Sequence, residues 1–150
     1  MRSLGATIQK AVETGTLPLN NLGTVPPIPL PWFKLDADYM LSDIGLRECP
    51  LAARGLYQSL LCLMHKGQPY GHLARSNTPL TFEQIATGAS CRLGDVRKYL
   101  PILIRAGLLG ERESKMLYSP YLIAKAEETA KARYYGQRGG NPRLNNAPPP

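Results

Sequence analysis

A mainly α-helical domain with one small β-hairpin, in the form of a winged helix-turn-helix, is the fold class that this 150-residue sequence predicts. Three consecutive stretches predict it. LTFEQIATG pairs Thr81 with Gln84 in a capping-box pattern and closes on Gly88, which marks a short helix. DVRKYLPILIRAGLL spaces Val96, Leu100, Leu103 and Ile104 along one helical face and ends at Gly107. In GERESKMLY, Glu113 and Ser114 form a polar turn between segments able to pair as strands, with Leu108 and Leu109 entering the first of them; this is the wing.

The remaining elements follow in chain order. Between Thr14 and Pro31, Pro26, Pro27, Pro29 and Pro31 remove backbone donors and favour extended geometry. Residues 1–31 therefore read as a disordered leader, either a plain tether or a proline-rich ligand for a partner. WFKLDADYM, Trp32 to Met40, alternates loosely between apolar and polar residues, which predicts a short edge strand or extended segment packed by Trp32, Phe33 and Leu35. Pro50 then opens LAARGLYQSLLCLMHKG, where Leu56, Leu60, Leu63 and Met64 recur at helical spacing. Leu51, Ala52, Tyr57 and Leu61 widen that stripe and Gly67 stops it, so this is the scaffold helix. GQPYGHLARSNTP reads as a loop. The winged-helix domain thus spans 32–119. After Pro120, YLIAKAEETAKARYY is Ala-rich with Glu127 and Lys131 four residues apart, which predicts a helix over 120–135 and leaves 136–150 as a disordered basic tail.

Charge is distributed unevenly along the chain. Residues 1–90 hold seven Lys/Arg against six Asp/Glu, a balance of +1, whereas residues 91–150 hold eleven against five, a balance of +6. A basic half of this kind is the electrostatic footprint of a polyanion partner, with nucleic acid the first candidate. Cys49, Cys62 and Cys91 are odd in number and lack a CxxC spacing, which argues against a disulfide framework. MRSLGATIQKAVETG has no continuous apolar core and no stretch nears the ~18 apolar residues of a membrane span. The sequence accordingly reads as soluble and cytoplasmic, with no membrane partner.

Catalytic patterns are not apparent. Cys62 and His65 lie three apart and His72 follows, but further ligands at zinc spacing do not accompany them. HExxH, GxSxG and GxxxxGK[ST] are absent, so neither an enzyme nor a cofactor is expected.

The binding residues expected from the pattern lie on the second helix of the pair, which enters the major groove in a helix-turn-helix. With Val96 inward and about 100° per residue, Arg97, Lys98, Pro101, Ile102 and Arg105 point outward, and Arg92 stands just before the helix. Arg suits bidentate contact with guanine and Lys98 suits phosphate, while Asp95 interacts favourably with the helix N-terminus. Pro101 implies a kink or a late helix start, or is tolerated because it is exposed. Arg112 and Lys115 in the wing are further candidates, offset by Glu111 and Glu113. Lys125, Lys131, Arg133, Arg138 and Arg143 form a longer basic strip interleaved with Tyr134 and Tyr135, suited to phosphate contact and stacking on single strands, or to solvation alone.

WFKLDADYMLSDIGLRECPLAARGLYQSLLCLM followed by DVRKYLPILIRAGLL resembles the winged-helix domains of phage and prophage replication proteins, including the replisome-organiser, helicase-loader and YdaU-like groups. The resemblance covers roughly residues 32 to 135. It implies a DNA-binding replication initiation or accessory factor, with DNA on the winged helix and a replicative helicase or primase as protein partner, while the basic, Tyr-bearing strip adds single strands as a candidate ligand of the tail. A transcriptional regulator on the same fold, or an adaptor that binds protein instead of DNA, are the rival expectations.

Overall fold

The computed structural model describes residues 30–138. The expectations for the leader up to Pro29 and for the tail from Gly139, Arg143 included, lie outside the described residues. The chain is mainly helical with two small antiparallel strand pairs. Helices α1 (Ala37–Ser42), α2 (Ile44–Glu48) and α3 (Leu51–His65) come first, followed by the pair β1 (Ala74–Arg75) and β2 (Thr78–Pro79). Helices α4 (Phe82–Gly88) and α5 (Leu93–Arg105), the pair β3 (Gly110–Glu111) and β4 (Leu117–Tyr118), and helix α6 (Pro120–Arg138) complete it.

Helix α3 is the axis of the core. Ala53, Tyr57, Leu60, Leu61 and Met64 on one face are almost wholly buried, against Leu46 and Cys49 from α2, Ile85 and Ala86 from α4, Val96, Leu100 and Leu103 from α5, and Leu122 from α6. Each large aliphatic side chain so buried contributes roughly 1.5–3 kcal/mol relative to exposure. The expected stripe is rotated slightly: Leu51 is 80% exposed, Ala52 is exposed and Leu63 is half-buried, while Ala53 takes the inward place. Leu51 is the first residue of the helix and its side chain faces solvent.

Local chemistry sets the ends of α4 and α5 as expected. Gln84 N–H donates to Thr81 Oγ1 at 3.2 Å and Thr81 N–H donates to Gln84 Oε1 at 2.9 Å, completing the capping box of α4. At Gly88 a Cβ would meet Leu63 Cδ2 at 2.8 Å, so the small residue lets α4 approach α3. Helix α5 ends in a Schellman motif. Gly107 takes φ +77°, Leu108 N–H donates to the Leu103 carbonyl and Gly107 N–H to that of Ile104. Leu108 and Leu109 are therefore buried linker residues, and the strand begins two residues after the expected point.

Expectations for two segments are corrected. Residues Trp32 to Met40 do not form a strand: Asp36 caps a helix by accepting the Tyr39 N–H at 3.1 Å, and of the three expected packing residues Trp32 and Leu35 are exposed while Phe33 packs on the core. The Asp36 cap, outcompeting the loose alternation, decides this. The loop GQPYGHLARSNTP contains β1 and β2, joined by Ser76 and Asn77 at φ 49° and 62°, the two positive φ values of a type I′ hairpin turn. Pro101 does not delay α5, which runs continuously from Leu93 to Arg105; the proline is exposed, in line with the reading that it is tolerated there. Solvent can satisfy the Arg97 carbonyl that loses its donor there. Helix α6 follows the Ser119–Pro120 start, with Leu122 N–H donating to Ser119 Oγ at 3.1 Å, and it continues to Arg138, past the expected 135.

The segment 71–73 lies beside β4. Leu73 N–H donates to the Leu117 carbonyl and Ser119 N–H to that of Gly71, both at 2.8 Å, with a bridge between His72 and Tyr118. The β3–β4 hairpin is thereby tied to the loop between α3 and α4.

Candidate nucleic-acid interface

The face of α5 opposite the core gathers the expected cations. Val96, Leu100 and Leu103 are buried, while Arg97, Lys98, Pro101 and Arg105 are exposed, as is Arg92 at the N-cap. Ile102 departs from expectation: it is half-buried and packs on the core cluster. About 140° from Arg97 on the wheel, it sits at the edge of the exposed arc, where a neighbouring element can cover an apolar side chain. Among the described residues no ion pair engages Arg92, Arg97, Lys98 or Arg105. Lys98 has one aromatic contact, its Nζ lying 5.2 Å from the centroid of Tyr99. Asp95, the one carboxylate of α5, lies in the first turn.

The hairpin cations are engaged elsewhere. Arg112 stacks on Tyr118 with its guanidinium carbon 3.8 Å from the ring centroid, and its Nε–H reaches His72 Nε2 at 3.4 Å. His72 is wholly buried; its Nδ1–H donates to the Tyr70 carbonyl at 2.9 Å, which leaves Nε2 as the acceptor facing Arg112. Burial, chiefly, and the adjacent guanidinium push the His72 pKa below the ordinary histidine value. Lys115, at φ 65° in the turn, pairs with Glu111 at 3.2 Å.

Two of the four α6 cations are paired. Lys125 meets Glu128 at 3.2 Å and Lys131 meets Glu127 at 2.7 Å, the four-residue pair anticipated from the spacing. Arg133 is half-buried, Tyr135 is exposed and packs edge-on against Tyr134, and Arg138 ends the helix. The ten expected contact residues therefore separate into four at α5 with no ion pair among the described residues and six on the hairpin and α6, of which Lys115, Lys125 and Lys131 are ion-paired and Arg112 is stacked on Tyr118.

No protein-family model, curated protein or solved structure matches the chain. The site is accordingly defined by its own residues.

The remaining titratable clusters are structural. His65 is buried, with Nε2–H donating to the Leu30 carbonyl at 2.6 Å and Nδ1 accepting from the Tyr70 hydroxyl at 3.0 Å. With both its ring nitrogens and those of His72 engaged, and Cys62 exposed, the three do not converge, and no group of three potential metal ligands forms among the described residues. Tyr39 and Tyr57 share a hydroxyl contact of 2.9 Å and Tyr39 stacks on Tyr121 at 4.2 Å, locking α1 onto α3 and α6. No helix among the described residues is long and apolar enough to cross a membrane.

Sequence reasoning missed two site residues. Gly94 sits on the exposed face of α5 with nothing within 4 Å of where a Cβ would stand. Its wheel position was readable, but a glycine contributes no side chain to look for. Tyr118 is the platform for Arg112, and the alternation of GERESKMLY carries no signal of a stack across the hairpin.

Proposed function

We propose that this chain is a DNA-binding winged-helix protein that acts as a phage- or prophage-type replication initiation or accessory factor, with the exposed face of α5 as its contact surface. One observation carries the proposal: Arg97, Lys98 and Arg105 stand on the exposed face of α5, Arg92 is exposed at its N-cap, and among the described residues no ion pair engages any of the four. The succession α4, α5, hairpin supports a winged-helix arrangement, and so does the 71–73 segment that joins β4 from the loop ahead of α4. Duplex DNA is the partner that suits such a helix, and a replicative helicase or primase is the protein partner that the sequence resemblance suggests.

The test is duplex binding across a salt series by the native chain and by an Arg97→Ala, Lys98→Ala variant. For every phosphate that the variant no longer neutralises, the log-log salt dependence should flatten by about 0.9. Unchanged affinity and slope in a folded double variant would remove α5 from the interface.

A second reading, a protein-binding adaptor, is favoured by the exposed Leu41 and Ile44 at the α1–α2 corner, 77% and 72% accessible. Partner capture that resists nuclease, together with no duplex binding at low salt, would establish that reading in place of the first.

A further inference from the structure

Resting on the DNA-binding reading, the geometry of α5 points to a narrower substrate class: we infer that this surface binds the phosphate backbone of duplex DNA with little regard to base sequence. The decisive feature is what occupies the middle of the exposed face. At about 100° per residue, Gly94 and Pro101 fall within about 20° of each other and form its central row. Arg97 lies about 40–60° to one side of that row, and Lys98 and Arg105 about 20–60° to the other. When such a helix lies in a groove, its central row faces the base edges and its flanks face the two phosphate walls.

Gly94 and Pro101 offer nothing with which to read bases, and Arg105, about 20° from Gly94, stands in the last turn, away from the N-terminal part of a recognition helix that contacts base edges. Gly94 has no side chain, and the space its Cβ would enter is open. Pro101 has neither a side-chain hydrogen-bonding group nor a backbone N–H. Helix α5, LGDVRKYLPILIR, also contains no Asn, Gln, Ser or Thr, the residues that recognise adenine or bond adaptably to base edges. Asp95, which could accept from cytosine, lies about 100–120° from the central row.

The hairpin does not restore sequence readout. Its guanidinium, at Arg112, is stacked on Tyr118 and held to His72, and its Lys115 is neutralised by Glu111. An Arg reaching from the wing into a minor groove is thus not available in this arrangement. What remains is positive charge on the flanks of a 13-residue helix about 20 Å long. Such a surface contacts phosphates without encoding a site.

The experiment compares the full-length protein on three labelled duplexes of equal length, one all A·T, one all G·C and one of mixed sequence, over a salt series, together with repeated selection from a random duplex pool. The expected result is a spread in affinity below about tenfold among the three, and no enriched sequence bound about 10³-fold tighter than the pool, the lower bound for site-specific proteins. Arg97→Ala should weaken all three duplexes by the same factor and lower the salt slope by about 0.9. A selected site bound at or beyond that 10³-fold margin would overturn the inference while leaving DNA binding intact. So would an Arg97→Ala loss confined to G·C duplexes, the signature of guanine readout. No binding to any duplex at low salt would overturn this inference together with the function on which it rests.

Discussion

Replacing Pro101 with Ala tests the account of α5 by separating its stability from its contact chemistry. Proline inside a helix removes one backbone hydrogen bond and crowds the preceding turn, at about 3 kcal/mol relative to Ala. Here the residue is exposed within the continuous span Leu93–Arg105, so alanine makes no cavity and leaves the core packing as it is. The substitution gives back the N–H that can donate to the Arg97 carbonyl one turn earlier. Against this, proline restricts the unfolded chain, an advantage of roughly 0.4–1 kcal/mol that Ala forfeits. The net expectation is a gain of about 2 kcal/mol, which at a urea m-value of about 2 kcal/mol/M moves the unfolding midpoint up by about 1 M. Affinity for duplex DNA and its salt slope should stay as they were, because neither residue carries charge. Urea titration followed by circular dichroism, paired with a binding isotherm, reads both quantities. A midpoint that falls would mean that the ring is packed or that α5 needs its constraint. A stable variant that loses DNA affinity would show that the proline shapes the contact face itself.

Three further outcomes follow from particular side chains. Burial holds His72 neutral in the fold while its unfolded value is near 6.5, so the unfolded chain takes up a proton first; stability should be intact above that pH and fall as the pH drops below it, and His72→Phe should flatten this part of a stability-pH profile. Gly110→Ala places a Cβ against the ring of Tyr118, so the ring must move and Arg112 must leave its stack; the ring-current shift of the Arg112 side-chain protons should disappear from the NMR spectrum while the helical signals persist. Leu103→Ala removes a wholly buried side chain from α5 and should destabilise the protein by about 2–5 kcal/mol in urea unfolding, with the spread set by how far the cavity collapses.

The helices were legible where a short-range rule governs them. Thr81 and Gln84 are three residues apart, so the cap of α4 is written in the sequence and the two hydrogen bonds follow. The same holds for Gly107 and the buried positions 96, 100 and 103 of α5. The corrections fall where two local signals compete or where a partner is distant in sequence. In WFKLDADYM a weak alternation competed with the Asp36 cap, and six helical residues won with help from Tyr39, whose partners Tyr57 and Tyr121 lie 18 and 82 positions away. The His72 segment looked like a loop because the strand it joins is completed by Tyr118, which no local pattern can indicate. The candidate site divides along the same line: exposure on α5 could be read from its periodicity, whereas the pairing state of each cation could not.

That pairing state changes which cations count toward a polyanion. A lysine held 2.7 or 3.2 Å from a carboxylate presents a dipole to an approaching phosphate, and the carboxylate comes well inside the screening length of about 8 Å at physiological salt. Surface pairs of this kind contribute little to stability, so DNA could separate them, but Glu127 and Glu128 would stay attached to the same helix and repel it. Sequence composition alone therefore overstates α6, where Lys125 and Lys131 are offset one for one by their neighbours. Helix α5 with its N-cap carries four cations against the single Asp95, and that carboxylate is turned away from the central row. The three cations on that exposed face, Arg97, Lys98 and Arg105, and not the +6 of the whole C-terminal part, are the charges that should set α5's share of the salt dependence.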